Sequence, residues 1–321
     1  MNRSLILMLF CCVQSSLIAQ TLVPSDIPWI RLDQNFSSGD SWELQLVPTQ
    51  DELYVPIGLV KPEGDGPFPI ILIGSGQGIN GIKKIQDQMD ISHGLMMRLA
   101  KRGYASAFVN FRNEVPELYN EVGDATLIED NVSGGYRTLR SRGSLDSDDF
   151  ISIIRHIGSL SYIDSNHIGA IGSSHSGEII MKAVSDSNLL AAAVPAEAAV
   201  REYLLVSDAD APRDETGTEL QLQDLDYVRS ISNRERAMER INRINTPLLI
   251  MGRDGDHLQG LFELLFEWVD ESKKNVRWLS YSHHEHGYVL LRNLPDGSFS
   301  PDRIQELAYK EYIEFFDKYL K

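Results

Sequence analysis

Short apolar runs recur along this chain, and segments with helical spacing alternate with them. Pro69-Ile-Ile-Leu-Ile73 runs into Gly74-Ser75-Gly76-Gln77-Gly78. Tyr104 to Asn110, His167 to Ile171, Leu189 to Val194, Pro247 to Met251 and Val276 to Tyr281 read as further strands. Strands that are apolar throughout need cover on both faces. Helical patterns supply it: the end of a helix at Gly94–Ala100, then Asp148–Leu160, Gly177–Val184, Asn233–Asn242, Leu258–Val269 and Pro301–Leu320. Two strands that look antiparallel, Ser41–Val47 and Glu52–Val60, come first. Alternating strands and helices dictate βαβ units. The expected fold class is therefore α/β, with a mostly parallel central sheet and helices on both faces.

Residues 200–243 interrupt this rhythm. Their stretch Asp208–Asp226 is acidic and polar. In sheets of this kind ligands bind at the carboxyl ends of the strands. The loops after Ile73, Ile171, Met251 and Tyr281 are thus where chemistry is to be sought.

After Ile171 comes Gly172-Ser173-Ser174-His175-Ser176-Gly177, then a helix. A sharp strand-to-helix turn exposes the serine at its apex and aims the helix N-terminus at it. Ser174 is the candidate nucleophile. Small residues are needed two before and two after it, and Gly172 and Ser176 fill those places. Ser176 departs from the glycine usual there.

A serine nucleophile needs a base, and His286 sits in the loop Ser282-His-His-Glu-His-Gly-Tyr288. Its imidazole suits proton transfer to and from Ser174. The loop Gly252-Arg253-Asp254-Gly255-Asp256-His257 offers the orienting acid. Asp256 is favoured, with Asp254 as the alternative. The order Ser174, Asp, His286 is that of the α/β-hydrolases. An oxyanion hole needs two donors: the His175 backbone N–H and one from the glycine-rich loop, at Ser75 or Gly76. That loop lacks both the Lys-Ser/Thr ending of a phosphate-binding loop and the dinucleotide spacing. His283, His284 and His286 also invite a metal reading, but no acidic cluster at ligand spacing accompanies them, so no metal is expected.

The first twenty residues differ from the rest. Met1-Asn-Arg-Ser4 is a short positive start, Leu5–Val13 is apolar, and Gln14–Gln20 turns small and polar. This three-part plan is that of a secretory signal peptide, too short to span a bilayer. The domain expectation is a signal peptide over 1–20 and one hydrolase domain over 21–321, in a secreted or periplasmic protein without stable membrane association. Cys11 and Cys12 are the two cysteines, so the processed chain would hold no disulfide, thiolate metal site or cysteine nucleophile. With 46 acidic residues against 30 basic ones the formal charge is −16, which repels phosphate backbones. Nucleic acid is not an expected partner.

Pro69–Gly78, Leu99-Ala-Lys-Arg-Gly-Tyr104, Asn110-Phe-Arg112, Ile163–Gly169, Gly172–Gly177, Thr246–His257 and His286-Gly-Tyr288 together resemble the dienelactone hydrolase-like branch of the α/β-hydrolase superfamily. That branch is close to the catalytic domains of prolyl oligopeptidases and to acyl-CoA thioesterase and bile-acid acyltransferase domains. The resemblance covers roughly residues 50–321, and it implies that residues 200–243 fall where this fold often inserts a cap over the active site, with a solvated excursion as the plain alternative. It implies a Ser-Asp-His triad, no cofactor, and hydrolysis of an ester, thioester or amide through an acyl-enzyme. A chain of this length has no room for the propeller of prolyl oligopeptidases, and CoA esters are cytosolic. The expected activity is accordingly a carboxylesterase acting on a small-molecule ester. A peptidase, an acyl-thioester hydrolase and a non-catalytic binding protein on the same scaffold are the competing expectations.

Overall fold

The computed structural model describes residues 30–49, 54–76, 81–111, 142–206 and 220–321. The signal segment, both cysteines, Gln77, Gly78, Arg112 and residues 207–219 of the expected cap lie outside the described residues. Apart from Ile30, the described residues belong to one compact unit, Arg31–Lys321.

Nine strands form one open sheet. They are β1 (Ile30–Asn35), β2 (Ser41–Pro48), β3 (Tyr54–Val60), β4 (Phe68–Gly74), β5 (Ala105–Phe108), β6 (Ile163–Ser173), β7 (Ala192–Ala196), β8 (Leu248–Arg253) and β9 (Val276–Tyr281). Their order is β1-β2-β3-β5-β4-β6-β7-β8-β9. The pairs β2–β3 and β3–β5 are antiparallel, and every neighbour pair from β5 to β9 is parallel. This is the α/β-hydrolase fold expected from the sequence. Strand β1 was not expected. Its sequence Ile-Arg-Leu-Asp-Gln-Asn carries two apolar residues, and Leu32 is exposed, so no buried face is written into it.

The helices are α1 (Gly81–Lys101), α2 (Arg142–Gly158), α3 (His175–Asp186), α4 (Leu225–Ile231), α5 (Arg234–Asn242), α6 (Gln259–Glu271) and α7 (Arg303–Leu320). They cover both faces of the sheet, and the strands divide their side chains between two apolar layers. Ile70 and Leu72 of β4, with Leu248 and Ile250 of β8, pack with Phe150, Ile153, Ile157, Ile179 and Leu265 from α2, α3 and α6. Ile71, Ile73, Leu249 and Met251 face Met96 and Leu99 of α1 and Ile313 and Phe316 of α7. Side chains of period two on strands meet apolar stripes of period 3.6 on helices. Full burial of one such side chain contributes about 1.5–3 kcal/mol.

Helix α2 starts six residues before the expected Asp148. Arg142-Gly-Ser-Leu-Asp-Ser147 is polar and holds a glycine, so apolar spacing does not announce it. Sharp starts elsewhere come from side-chain caps. Asn233 accepts from the Arg236 N–H, and Asp302 with Gln305 forms a reciprocal capping box at α7.

The later part of the irregular segment joins the body of the protein. A 3₁₀ turn at Leu220–Gln223, α4 and α5 pack against α3 and α6, and they bury Leu222, Val228, Ala237 and Ile241 completely. Among the described residues no helix is long and apolar enough to cross a membrane.

Candidate active site

The carboxyl ends of β6, β7, β8 and β9 lie side by side, and the candidate residues hang from them. Ser174 stands between β6 and α3 with φ 57° and ψ −119°, a region that a non-glycine residue enters at a cost. Three backbone hydrogen bonds hold it there. Its N–H donates to Ala196 O, and its carbonyl accepts from the N–H groups of Glu178 and Ala199. The side chain makes no cap bond to the helix, which leaves the hydroxyl free for other chemistry.

The departure at Ser176 has a steric explanation. Its Oγ donates to the carbonyl of Ser75 on the neighbouring loop. A Cβ at Gly74 would lie 2.6 Å from Ser176 Oγ, and one at Gly172 would lie 2.8 Å from Ser176 Cβ. The room that a glycine at 176 would leave is provided instead by two glycines on the opposing strands.

Of the two candidate acids, the structure brings Asp256 to His286. His286 Nδ1 lies 2.8 Å from Asp256 Oδ2. Asp256 is fully buried, and its Oδ1 accepts the Leu258 N–H at 2.8 Å. Asp254 faces the other way. Its backbone continues the β8–β9 ladder by donating to Tyr281 O, and its exposed carboxylate takes the Ser280 hydroxyl. Gly255, with φ +74°, turns the chain between them.

Burial opposes charge on both members of this pair, and their mutual hydrogen bond outweighs it. The Asp256 carboxyl is held below its ordinary value, despite burial, by the hydrogen bond and charge of His286. The imidazole is raised above its ordinary value, despite burial, by the Asp256 bond and charge and by the charge of Glu197. His286 Nε2 has no hydrogen-bond partner among the described residues, so that edge is open to accept a proton.

Two further charged groups complete the cluster, and the sequence reading missed both. Arg253 donates to Asp256 Oδ2 from Nε at 2.9 Å and from its terminal nitrogen at 2.6 Å. Glu197, just past β7, is fully buried at φ 42°. Its Oε2 accepts the Gly287 N–H at 2.7 Å, and its Oε1 lies 3.8 Å from His286 Nδ1. Burial, reinforced by the Asp256 charge, pushes the Glu197 carboxyl up to about 7. The available signal was a lone acid in the otherwise apolar run Leu189–Val200.

The expected oxyanion loop lies beside the serine. A Cβ placed on Gly76 would be 3.6 Å from Ser174 Cβ, so the Gly76 backbone borders the hydroxyl. Ser75 turns its carbonyl to Ser176 and its hydroxyl to Gly76 O. The His175 N–H belongs to the first helical residue, where amides have no acceptor within the helix. The His175 side chain points into the body instead. It bonds Asp146 at 2.7 Å and meets Phe111 edge-on.

The other loop histidines part from His286. His283 bonds Asp302 at 2.7 Å and stacks on Tyr288, while His284 is exposed. Asp256, His257 and His286 have ligand atoms within 4.8 Å of one another, close enough for an ion. The donor set fits a cation poorly, because the Arg253 guanidinium already occupies Asp256 Oδ2.

Residues 137–321, more than half of the chain, match the prolyl oligopeptidase family. No curated protein sequence matches. Among solved structures, Porphyromonas gingivalis dipeptidyl peptidase 4 is similar at 20% identity and TM-score 0.56, over 87% of this chain and 35% of its own. Pyrococcus horikoshii acylaminoacyl peptidase is similar at 20% identity and TM-score 0.55, over 96% of this chain and 44% of its own. The acetyl xylan esterase of Paenibacillus sp. R4 is similar at 15% identity and TM-score 0.58, over 97% of this chain and 94% of its own. This chain thus spans less than half the length of the two peptidases. It belongs to the prolyl oligopeptidase family, a family of serine hydrolases built on the α/β-hydrolase fold.

Proposed function

We propose that this protein hydrolyses small carboxylic esters through an acyl-enzyme on Ser174, with His286 as general base and Asp256 as orienting acid. The observation that carries the reading is the buried Asp256 carboxylate on His286 Nδ1, in a turn whose Gly287 lies against Ser173, the residue before the strained elbow at Ser174. In the first step Ser174 Oγ attacks the ester carbonyl carbon and its proton passes to His286 Nε2. The tetrahedral oxyanion is held by the His175 N–H and by the backbone at Gly76 or Ser75. Its collapse breaks the ester C–O bond, and the imidazolium returns the proton to the departing alcohol. Water then attacks the acyl carbon, with His286 again taking and returning a proton. The acid leaves, and Ser174 is restored.

A structural neighbour named as an esterase, the acetyl xylan esterase, motivates the ester reading. Family membership favours the second reading, a peptidase on the same triad. A fluorophosphonate probe applied to the purified protein, with mass spectrometry to find the adduct, tests the mechanism. Modification of Ser174 that vanishes in His286→Ala is expected. A folded protein that takes no adduct would remove the acyl-enzyme and favour a binding role. Turnover of short esters against peptides then separates the two hydrolase readings.

We further propose that residues 1–20 direct the protein out of the cytoplasm, and that part of 200–243 shapes the acyl or alcohol pocket. N-terminal sequencing of the exported protein tests the first idea, and an intact Met1 would overturn it. Deletion of residues 208–226 tests the second, and an unchanged substrate range would overturn that.

A further inference from the structure

The proposed mechanism uses one carboxylate, yet two reach the Nδ1 edge of His286. Glu197 approaches from β7, opposite Asp256, and no substrate-side group explains it. Its Oε2 accepts the Gly287 N–H of the loop that carries the base at 2.7 Å and the Ser173 hydroxyl of β6 at 3.4 Å. Gly287 has φ +84°, and a Cβ there would lie 3.3 Å from Ser173 Oγ, so this turn lies directly against the strand bearing the nucleophile. The remaining oxygen, Oε1, is buried without a hydrogen bond. It lies 3.4 Å from Arg253 Nε and 3.8 Å from His286 Nδ1. An orphaned carboxylate oxygen in the interior is costly unless charge faces it. The strained backbone at Glu197 is a second cost concentrated on the same residue.

We propose that Glu197 is a positioning residue for the base: it clamps the His286–Gly287 turn and adds a second negative charge beside the imidazole. The inference rests on the assignment of His286 as general base. Once Glu197 has lost its proton, above about 7, the cluster of Asp256, Glu197 and Arg253 carries one net negative charge while the imidazole is neutral. It becomes neutral when Ser174 passes its proton to Nε2. The site is thereby matched to the imidazolium of the transition state rather than to the resting ring. The groups facing Glu197 are Ser173 from β6, Arg253 and Asp256 after β8, and His286 and Tyr288 after β9. Burial places its own ionisation close to that of the base, so the two titrate as a coupled pair.

The test is Glu197→Gln, which keeps an acceptor for the Gly287 N–H and removes only the charge. Two readouts are taken: the pH profile of kcat/KM on p-nitrophenyl acetate, and the His286 ring titration by NMR. Loss of the charge is expected to lower the His286 pKa and the acidic limb together, by about one pH unit. An unmoved limb and an unmoved ring titration would overturn the proposal and leave Glu197 as a loop anchor. Should the glutamine variant not fold, wild-type protein with ¹³C-labelled glutamate decides. Coupled titration of Glu197 and His286 supports the proposal, and independent titrations overturn it. Failure of the hydrolase reading is separately visible, as wild-type protein that neither takes the fluorophosphonate nor turns over esters. The ring titration still reads the charge coupling in that case.

Discussion

Two histidine–aspartate pairs stand three residues apart in the same loop, with nearly equal bonds of 2.8 and 2.7 Å, and their surroundings are inverted. In His286–Asp256 the acid side chain is 0% exposed and the imidazole 29%. In His283–Asp302 the imidazole is 3% exposed and the acid 47%. Desolvation strengthens the hold of Asp256 on His286, while the ring keeps an open edge for a substrate-side proton. His283 has no such edge, because its Nε2 bonds Asp302 and its Nδ1 accepts the Glu285 N–H at 3.0 Å, and its acid is occupied in capping α7. Bond length alone therefore does not mark a catalytic pair. What marks it is which partner is buried, and which ring edge is left open.

The largest expected effect that would sharpen this contrast is at the base and nucleophile. Ser174→Ala and His286→Ala should each lower ester turnover by about 10⁵-fold or more, measured as kcat on p-nitrophenyl acetate. Asp256→Asn should lower it by about 10⁴-fold, because an asparagine favours the wrong imidazole tautomer. Asp302→Asn keeps the helix cap and should change kcat by less than about threefold, as an exposed partner contributes little. A loss at Asp302 equal to that at Asp256 would break the comparison. Asp254→Asn, on the exposed side of the same loop as Asp256, is likewise expected to leave kcat nearly unchanged.

The pH dependence should carry the same asymmetry. The acidic limb of kcat/KM is expected to fall through a pKa above the ordinary 6.5, since His286 is raised by Asp256 and Glu197. The favourable contribution of His286 to stability is full below 6.5 and is lost as pH rises through its folded value. Glu197 adds to this trend. Its folded value of about 7 exceeds the ordinary 4.5, so the native state holds the proton longer and stability declines between those two pH values. Urea midpoints of Glu197→Gln should therefore fall less steeply than wild type across that window. Identical slopes would contradict the burial argument. The smallest effect is structural: Asp302→Ala removes the α7 cap and should cost about 1 kcal/mol in the same urea series.

Much of the fold was legible because it depends on local periodicity. Strand β9 was read to its limits, since Val276–Tyr281 is bounded by polar residues on both sides. The beginning of α2 and the whole of β1 were not, because neither shows an apolar stripe. At the site, Ser174 and His286 could be placed by their strand-end loops. Asp256 was favoured but Asp254 stayed open as the alternative, because the turn at Gly255 decides which carboxylate faces inward, and both residues fit the spacing. Arg253 lies three residues before Asp256 in the same loop, but its spacing does not announce its bond to that carboxylate. The lone acid Glu197 takes its meaning only when β7, β8 and β9 are laid side by side, which brings it to groups far along the chain.

From β6 onward the strands enter the sheet in chain order, each beside the one before. A ribosome extruding this protein would lay down that half of the sheet one edge at a time. The serine arrives with β6, the buried glutamate with β7, the aspartate with β8 and the histidine with β9. A nascent chain that has reached Ala196 still lacks the proposed base, the neighbour for its open strand edge and the Ala199 amide that helps hold Ser174. On the proposed mechanism, acyl transfer has to wait until the last strand and its loop are in place.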